Sequence, residues 1–180
     1  RVIAGVPAFG GDFEAGWGDW GADGGVWQVG TPTAGPTSCY GGTQCAGTEL
    51  SGNYGRETDS RLVSPSIVLP AVTGYEEVHL RFMNSFSYYN SQDWGQVQVQ
   101  VWDAVGSSWG DWEDVGIPVT NTSGGWSLKH VDLTAYSGKT VRVAFYHQAV
   151  DSSDYQNDQS TGWYIDDLHV TGDDDNDGVG

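Results

Sequence analysis

"GQVQVQVWD", residues 95–103, decides the architecture. Successive side chains of an extended strand point to opposite faces, so Val97, Val99 and Val101 share one side and Gln96, Gln98 and Gln100 the other. A helix would scatter both sets around its axis. One apolar and one amide face predict a strand that lies on a core with its back to water. Working outward, "EVHLRFMNSF" (77–86) repeats the pattern, with Val78, Leu80 and Phe82 set against His79, Arg81 and Met83. "KTVRVAFYHQAV" (139–150) does so with Val141, Val143 and Phe145, and "SLKHVDL" (127–133) and "GWYIDDLHV" (162–170) are further candidates. "DSRLVSPSIVL" (59–69) is broken by Pro65, which predicts an edge or a bulge. "DFEAGW" (12–17) and "GVWQVG" (25–30) open the series.

Gly, Asn, Ser and Pro clusters separate these runs, leaving longer linkers at 30–56, 87–96, 103–126 and 150–162. About eight strands at this spacing predict an all-β, antiparallel β-sandwich. A jelly roll is expected, because the first and last strands both look central and acidic. Residues 1–172 read as one domain, and residues 173–180 as an acidic, truncated calcium-repeat tail. The abrupt start suggests an excised or processed piece of a longer protein.

Composition narrows the function. Seven Lys plus Arg face 24 Asp plus Glu, a net charge of -17. Such a surface repels phosphate backbones and anionic bilayers, so neither nucleic acid nor membrane is an expected partner. No run of 18 apolar residues spans a bilayer. Cys39 and Cys45 bracket "YGGTQ", a turn able to bring them together, and no His lies close enough to complete a zinc site. A disulfide is expected there, worth about 2 kcal/mol by loop entropy, together with an oxidising, secreted or cell-surface location.

Asp12 and Glu14 of "DFEAGW" share a face under strict alternation, and Asp166 shares one with Tyr164, Leu168 and Val170. If the terminal strands meet, Glu14 and Asp166 approach each other, and two ionised carboxylates in contact repel. Calcium resolves the repulsion, since it accepts six to eight oxygens. The plain alternative is a pair of solvent-facing acids on an edge strand. Asn53 and Asp59, with Glu49, supply further oxygens from "GTELSGNYGRETDSRLVSP" (47–65), although such residues also simply make turns. Asp151, Asp154, Asn157 and Asp158 form either a second calcium loop or a solvated acidic one. In the tail, Asp173, Asp175, Asp177 and Gly178 match the first half of a D-x-D-x-D-G loop.

No catalytic constellation stands out. The four His lie scattered over strands without H-E-x-x-H spacing, and G-x-S-x-G is absent. Adjacent Glu76 and Glu77 point opposite ways in a strand and make a poor acid/base pair. His147 reads as a half-buried sheet residue. Nine Trp and nine Tyr carry more information. Trp27, Trp102, Trp126 and Trp163 are expected in the core. Tyr88, Tyr89 and Trp94 of "SFSYYNSQDWG", and Trp109 and Trp112 of "GSSWGDWED", sit among polar residues. A ring stacks on the C–H face of a sugar while amides and acids bond its hydroxyls. Trp94, Tyr88 and Tyr89 beside the Gln96, Gln98 and Gln100 face are thus a candidate glycan platform, with Trp109 and Trp112 next to it. The alternative is that these rings merely stiffen long loops.

"DFE", "GW", "SGNY", "DSRLVSPSIVLP", "VHLRF", "GGWSLKHVDLTAYSGKTVRVAFYH" and "GWYIDDLHV" together resemble the MAM-like jelly-roll family, over roughly residues 11–171. Its bacterial relatives include the cleaved-adhesin domains of gingipain-type proteases and domains attached to secreted metallopeptidases. The resemblance implies a non-catalytic β-sandwich that binds glycans or cell-surface proteins, often with a structural calcium. It assigns metal roles to Glu14 and Asp166. The four-cysteine pattern of animal members is absent, so their disulfides and adhesive dimer contacts do not carry over, and the isolated domain is expected to be monomeric. The tail resembles the opening of a thrombospondin type-3 repeat. The expected function is a calcium-stabilised, carbohydrate-binding module of a secreted bacterial protein, or else a protein-binding adhesion or protease-accessory domain.

Overall fold

A computed structural model describes residues 9–151 and 158–173 of the chain. The tail after Asp173, with Asp175, Asp177 and Gly178, and the loop positions Asp154 and Asn157 lie outside the described residues.

Two antiparallel sheets face each other. The larger runs β1 (Gly21–Ala22), β4 (Thr58–Val63), β11 (Thr140–Ala149) and β7 (Trp94–Asp103). The far edge of β7 is shared by β8 (Ser108–Trp109) and β9 (Glu113–Val119), while β5 (Ile67–Val68) pairs with β11. The smaller sheet runs β10 (Ser127–Asp132), β6 (Glu77–Ser87), β12 (Gly162–Asp173), β3 (Cys45–Gly47) and β2 (Gln28–Gly30). A single 3-10 turn, Thr134–Tyr136, is the one helical element among the described residues. The fold is an all-β sandwich of the jelly-roll type.

The alternating runs dictate what lies between the sheets. Val97 and Val99 of β7, Val141, Val143 and Phe145 of β11 and Leu62 of β4 meet Val78, Leu80 and Phe82 of β6 and Trp163 and Ile165 of β12. Phe145 holds the centre, edge-on to Phe82 at 5.0 Å and to Trp163 at 5.5 Å. Trp27 packs on the far side of Trp163, whereas Trp102 lies exposed and Trp126 half-buried, so only two of the four expected core tryptophans are inside. Pro65 stops β4, and β5 resumes on the same partner strand, β11.

Two expectations fail here. "DFEAGW" is not a central strand. Residues 11–19 are mostly turns, with Phe13 and Gly16 at φ of 54° and 80°, and the side chain of Asp12 accepts the Glu14 amide. Glycine-rich turn chemistry outweighs a short apolar alternation. In addition, Asp166 does not share a face with Leu168 and Val170. A bulge lies between Asp166 and His169, with Asp167 at φ 49°, and one extra residue in the strand reverses the side-chain alternation. Tyr164 and Asp166 therefore point away from the core, while Leu168 and Val170 point into it.

Residues 103–126, expected as a linker, contain β8 and β9. Gly116 at φ 71° and Pro118 break the alternation of β9, which hides the strand from a period-two reading.

Candidate functional site

The two acidic stretches meet, but on a loop. Cys39 and Cys45 form a disulfide, and the chain between them is gripped from both sides. Glu14 accepts the backbone amides of Thr43 and Gln44, both at 2.9 Å, which hold its carboxyl below the usual range. Asp166 accepts the amide of Gly41 at 2.9 Å with one oxygen and that of Asp167 at 2.8 Å with the other. Asp166 is wholly buried, and burial pushes its carboxyl up to about 6 despite these bonds. A side chain at Gly42, where φ is 54°, would press on the Glu14 carboxylate and push it out of this grip. Asp12 adjoins Glu14. Asn53 and Asp59 do not join this group: Asp59 lies on β4 in the opposite sheet, and Asn53 is exposed in the loop before it. Asp151 and Asp158 are bridged by Arg56, at 2.6 and 3.0 Å.

The aromatic candidates separate as well. Tyr88 is buried at one end of the core, where its hydroxyl meets His147 Nδ1 at 3.0 Å. It cannot belong to a surface platform. His147 is itself fully buried, stacked on Tyr88 and edge-on to Tyr54. Tyr89 is exposed, with its amide bonded to the Tyr54 hydroxyl.

Trp94, Gln98, Trp109 and Trp112 do come together, on the outer face of the larger sheet. The even-numbered residues of β11 add Arg142 and Tyr146, and β4 adds Arg61. The result is an alternating ladder. Trp102 and Trp109 pack edge to face at 5.3 Å. Arg142 lies 4.1 Å over Trp109 and 5.9 Å from the centre of Trp112. Arg61 lies 5.7 Å from Trp112 and 4.4 Å over Tyr146, which meets Trp94 edge-on at 5.5 Å.

Amides tie the ladder to the sheet. Gln98 accepts Arg61 Nε at 2.8 Å and donates to Asp114 at 2.8 Å, while Gln100 accepts Arg142 at 2.5 Å and donates to the Gly110 carbonyl. Gln96 is buried and donates to the carbonyls of Val115 and Gly116. Among the described residues, Arg142 Nε is the buried side-chain nitrogen left without a hydrogen-bond partner. Beyond Trp94 the face opens into a groove lined by Glu57, Asp59, Gln148 and Asp151. Rings, guanidinium forks and carboxylates in one strip can stack on a sugar ring and bond its hydroxyls together. Arg61, Arg142 and Tyr146 were legible from the alternation of "KTVRVAFYH" and "DSRLV", whose polar positions face away from the valines.

No helix among the described residues is long and apolar enough to cross a membrane. No model of a known protein family matches the chain. Over 159 residues, 87% of the chain, it is 32% identical to Bacillopeptidase F of Bacillus subtilis, of whose length it spans only 10%. The K3 cleaved adhesin domain of Lys-gingipain from Porphyromonas gingivalis superposes with a TM-score of 0.50 at 21% identity, covering 95% of this chain and 99% of that one. The CBM22-2 xylan-binding domain from Paenibacillus barcinonensis Xyn10C superposes with a TM-score of 0.52 at 15% identity, covering 91% and 98%. At these identities the likeness is one of fold: the chain is a β-sandwich of the architecture found in cleaved adhesin and carbohydrate-binding domains.

Proposed function

We propose that this chain is a non-catalytic, monomeric binding module of a secreted multidomain protein, and that its ligand is a glycan held on the outer face of the larger sheet. The observation that carries this reading is the Trp102–Trp109–Arg142–Trp112–Arg61–Tyr146–Trp94 ladder, a strip of rings and bonding groups on an open sheet face. The fold shared with a xylan-binding domain and the kinship with part of Bacillopeptidase F support it. Trp109→Ala should weaken binding to the best polysaccharide in a panel that includes xylan by about tenfold to thirtyfold, since one stacked ring contributes on the order of 1–2 kcal/mol. Isothermal titration reads this directly. Absence of wild-type binding across the panel refutes the glycan reading. Protein docking then takes its place, and the exposed Ile117 and Leu128 beside the larger sheet's edge favour it.

We also propose that calcium sits where Glu14 and Asp166 grip the disulfide loop, with Asp12 and Asp167 near them. Asp166 fits such a site because it is a wholly buried carboxylate whose hydrogen bonds come from backbone amides. A divalent ion there would hold the ionised form and lock residues 40–44. At 100 times its dissociation constant, calcium adds about 2.7 kcal/mol by linkage. For a chain of this size that is a rise in melting temperature on the order of 5–10 °C. Superimposable melts in calcium and in a calcium-selective chelator, EGTA, would remove the proposal.

A further inference from the structure

A second cluster lies on the outer face of the smaller sheet, on β10 and the start of β6, several residues along β6 from Met83, the partner of Asp166. Glu77 and His79 alternate along the first residues of β6, so both face outward. In the ladder with β10, Asp132 stands opposite His79, and His130 stands opposite Arg81 one outward position further along. One potential ligand atom from each of Glu77, His79 and Asp132 lies within 4.8 Å of the others. His79 is only 6% exposed, and its Nε2 is 2.6 Å from Glu77 Oε2. The His79 and His130 rings are stacked at 5.5 Å with their Nδ1 atoms 3.5 Å apart.

We propose that Glu77, His79 and Asp132, with His130 as a fourth donor, form a binding site for a divalent transition-metal ion of the zinc class. The donor chemistry selects the ion. Two imidazole nitrogens and two carboxylates suit zinc or its neighbours, whereas calcium requires six or more oxygens. Ligands around tetrahedral zinc stand about 3.4 Å apart, as follows from metal–donor bonds of about 2.1 Å. Glu77, His79 and Asp132 already lie within 4.8 Å of one another, while His130, which faces His79 from its Nδ1 side, joins the ion by turning its ring. The surrounding groups are already directed. Thr134 donates its backbone amide to Asp132 Oδ1 at 2.8 Å, the kind of outer-shell bond that orients a metal-ligating carboxylate. Arg81, opposite His130 in the ladder, donates its Nε to the Thr171 hydroxyl. All four donors stand on two hydrogen-bonded strands, so the site is part of a rigid sheet and not of a loop.

The test is titration of chelator-treated protein with zinc chloride at pH 7 by calorimetry, together with the visible spectrum of the cobalt(II) form. One equivalent should bind with micromolar or tighter affinity, raise the melting temperature by several degrees and give cobalt bands of a nitrogen- and oxygen-ligated site. His79→Ala should weaken zinc binding more than a hundredfold, and Asp132→Asn and His130→Ala at least tenfold each. Asp132 and His130 are exposed, so those two variants decide the matter if His79→Ala fails to fold. Calcium in tenfold excess should not displace the zinc. No binding by the wild type at 100 times micromolar zinc, or equal affinity in Asp132→Asn and His130→Ala, overturns the proposal and assigns any bound metal to acids elsewhere on the surface.

Discussion

Trp163→Ala should cost about 3–5 kcal/mol, out of the roughly 5–15 kcal/mol that holds an ordinary domain together. Trp163 is completely buried at the junction of the sheets, between Trp27 at 6.0 Å and Phe145 at 5.5 Å. Its ring presses on the bare Cα of Gly95, where any side chain would collide with it. The indole also donates to Asn84 Oδ1 at 3.1 Å inside the core. Truncation thus leaves a cavity and an orphaned buried acceptor at once, and the two penalties add. Trp163→Phe keeps the ring contact with Phe145 and loses the donor, so it should cost roughly 1–3 kcal/mol. Denaturant unfolding separates the two. A loss below about 1 kcal/mol for the alanine variant would contradict the packing described.

The second large effect concerns acid. Burial lowers the His147 imidazole from 6.5 to about 4. Its tautomer follows from its neighbours. The Thr58 hydroxyl donates to the Gly55 carbonyl, so it accepts from His147 Nε2–H, and Nδ1 accepts from the Tyr88 hydroxyl. A proton arriving at Nδ1 meets the Tyr88 hydrogen inside a fully buried site. The neutral form is native, while the unfolded chain takes up a proton below 6.5. Stability from this group is therefore complete above about pH 6.5 and falls as pH drops toward 4. The loss is about 3 kcal/mol over that window, at 1.36 kcal/mol per pH unit. His147→Gln retains polar contacts without titrating. Between pH 7 and 4 it should lose about 3 kcal/mol less than the wild type, the carboxylates of the two proteins being the same. Equal slopes would place the proton elsewhere.

Strand alternation made much of this molecule readable before any coordinates. The valines of residues 97–101 and 141–143 are inside because a half-buried strand has no other use for them. The same alternation carries information about sites, since Arg142 and Tyr146 are outside for the reason that Val141, Val143 and Phe145 are inside. What alternation cannot convey is the bulge at Asp166–His169 or the turns at 11–19. Both depend on positive φ at residues such as Asp167 and Phe13, where side-chain identity gives little warning. Tyr88 was misplaced for a related cause: its polar neighbours in sequence are not its neighbours in space, which are Tyr54 and His147.

The position of β12 between β6 and β3 has a consequence for how the protein is made. Its long ladder joins residues 77–87 to residues 162–173, and the amide of Leu168 also bonds the carbonyl of Gly11. Until β12 leaves the ribosome, β6 keeps an unpaired edge, and half the sandwich has no lid. Closure then waits on contacts between distant parts of the chain, the class of topology that folds slowly. In this period an open edge invites pairing with another nascent chain. Expression truncated before residue 162 should therefore yield aggregates instead of a smaller folded domain, and a chaperone that shields strand edges would matter most in the moments before β12 arrives.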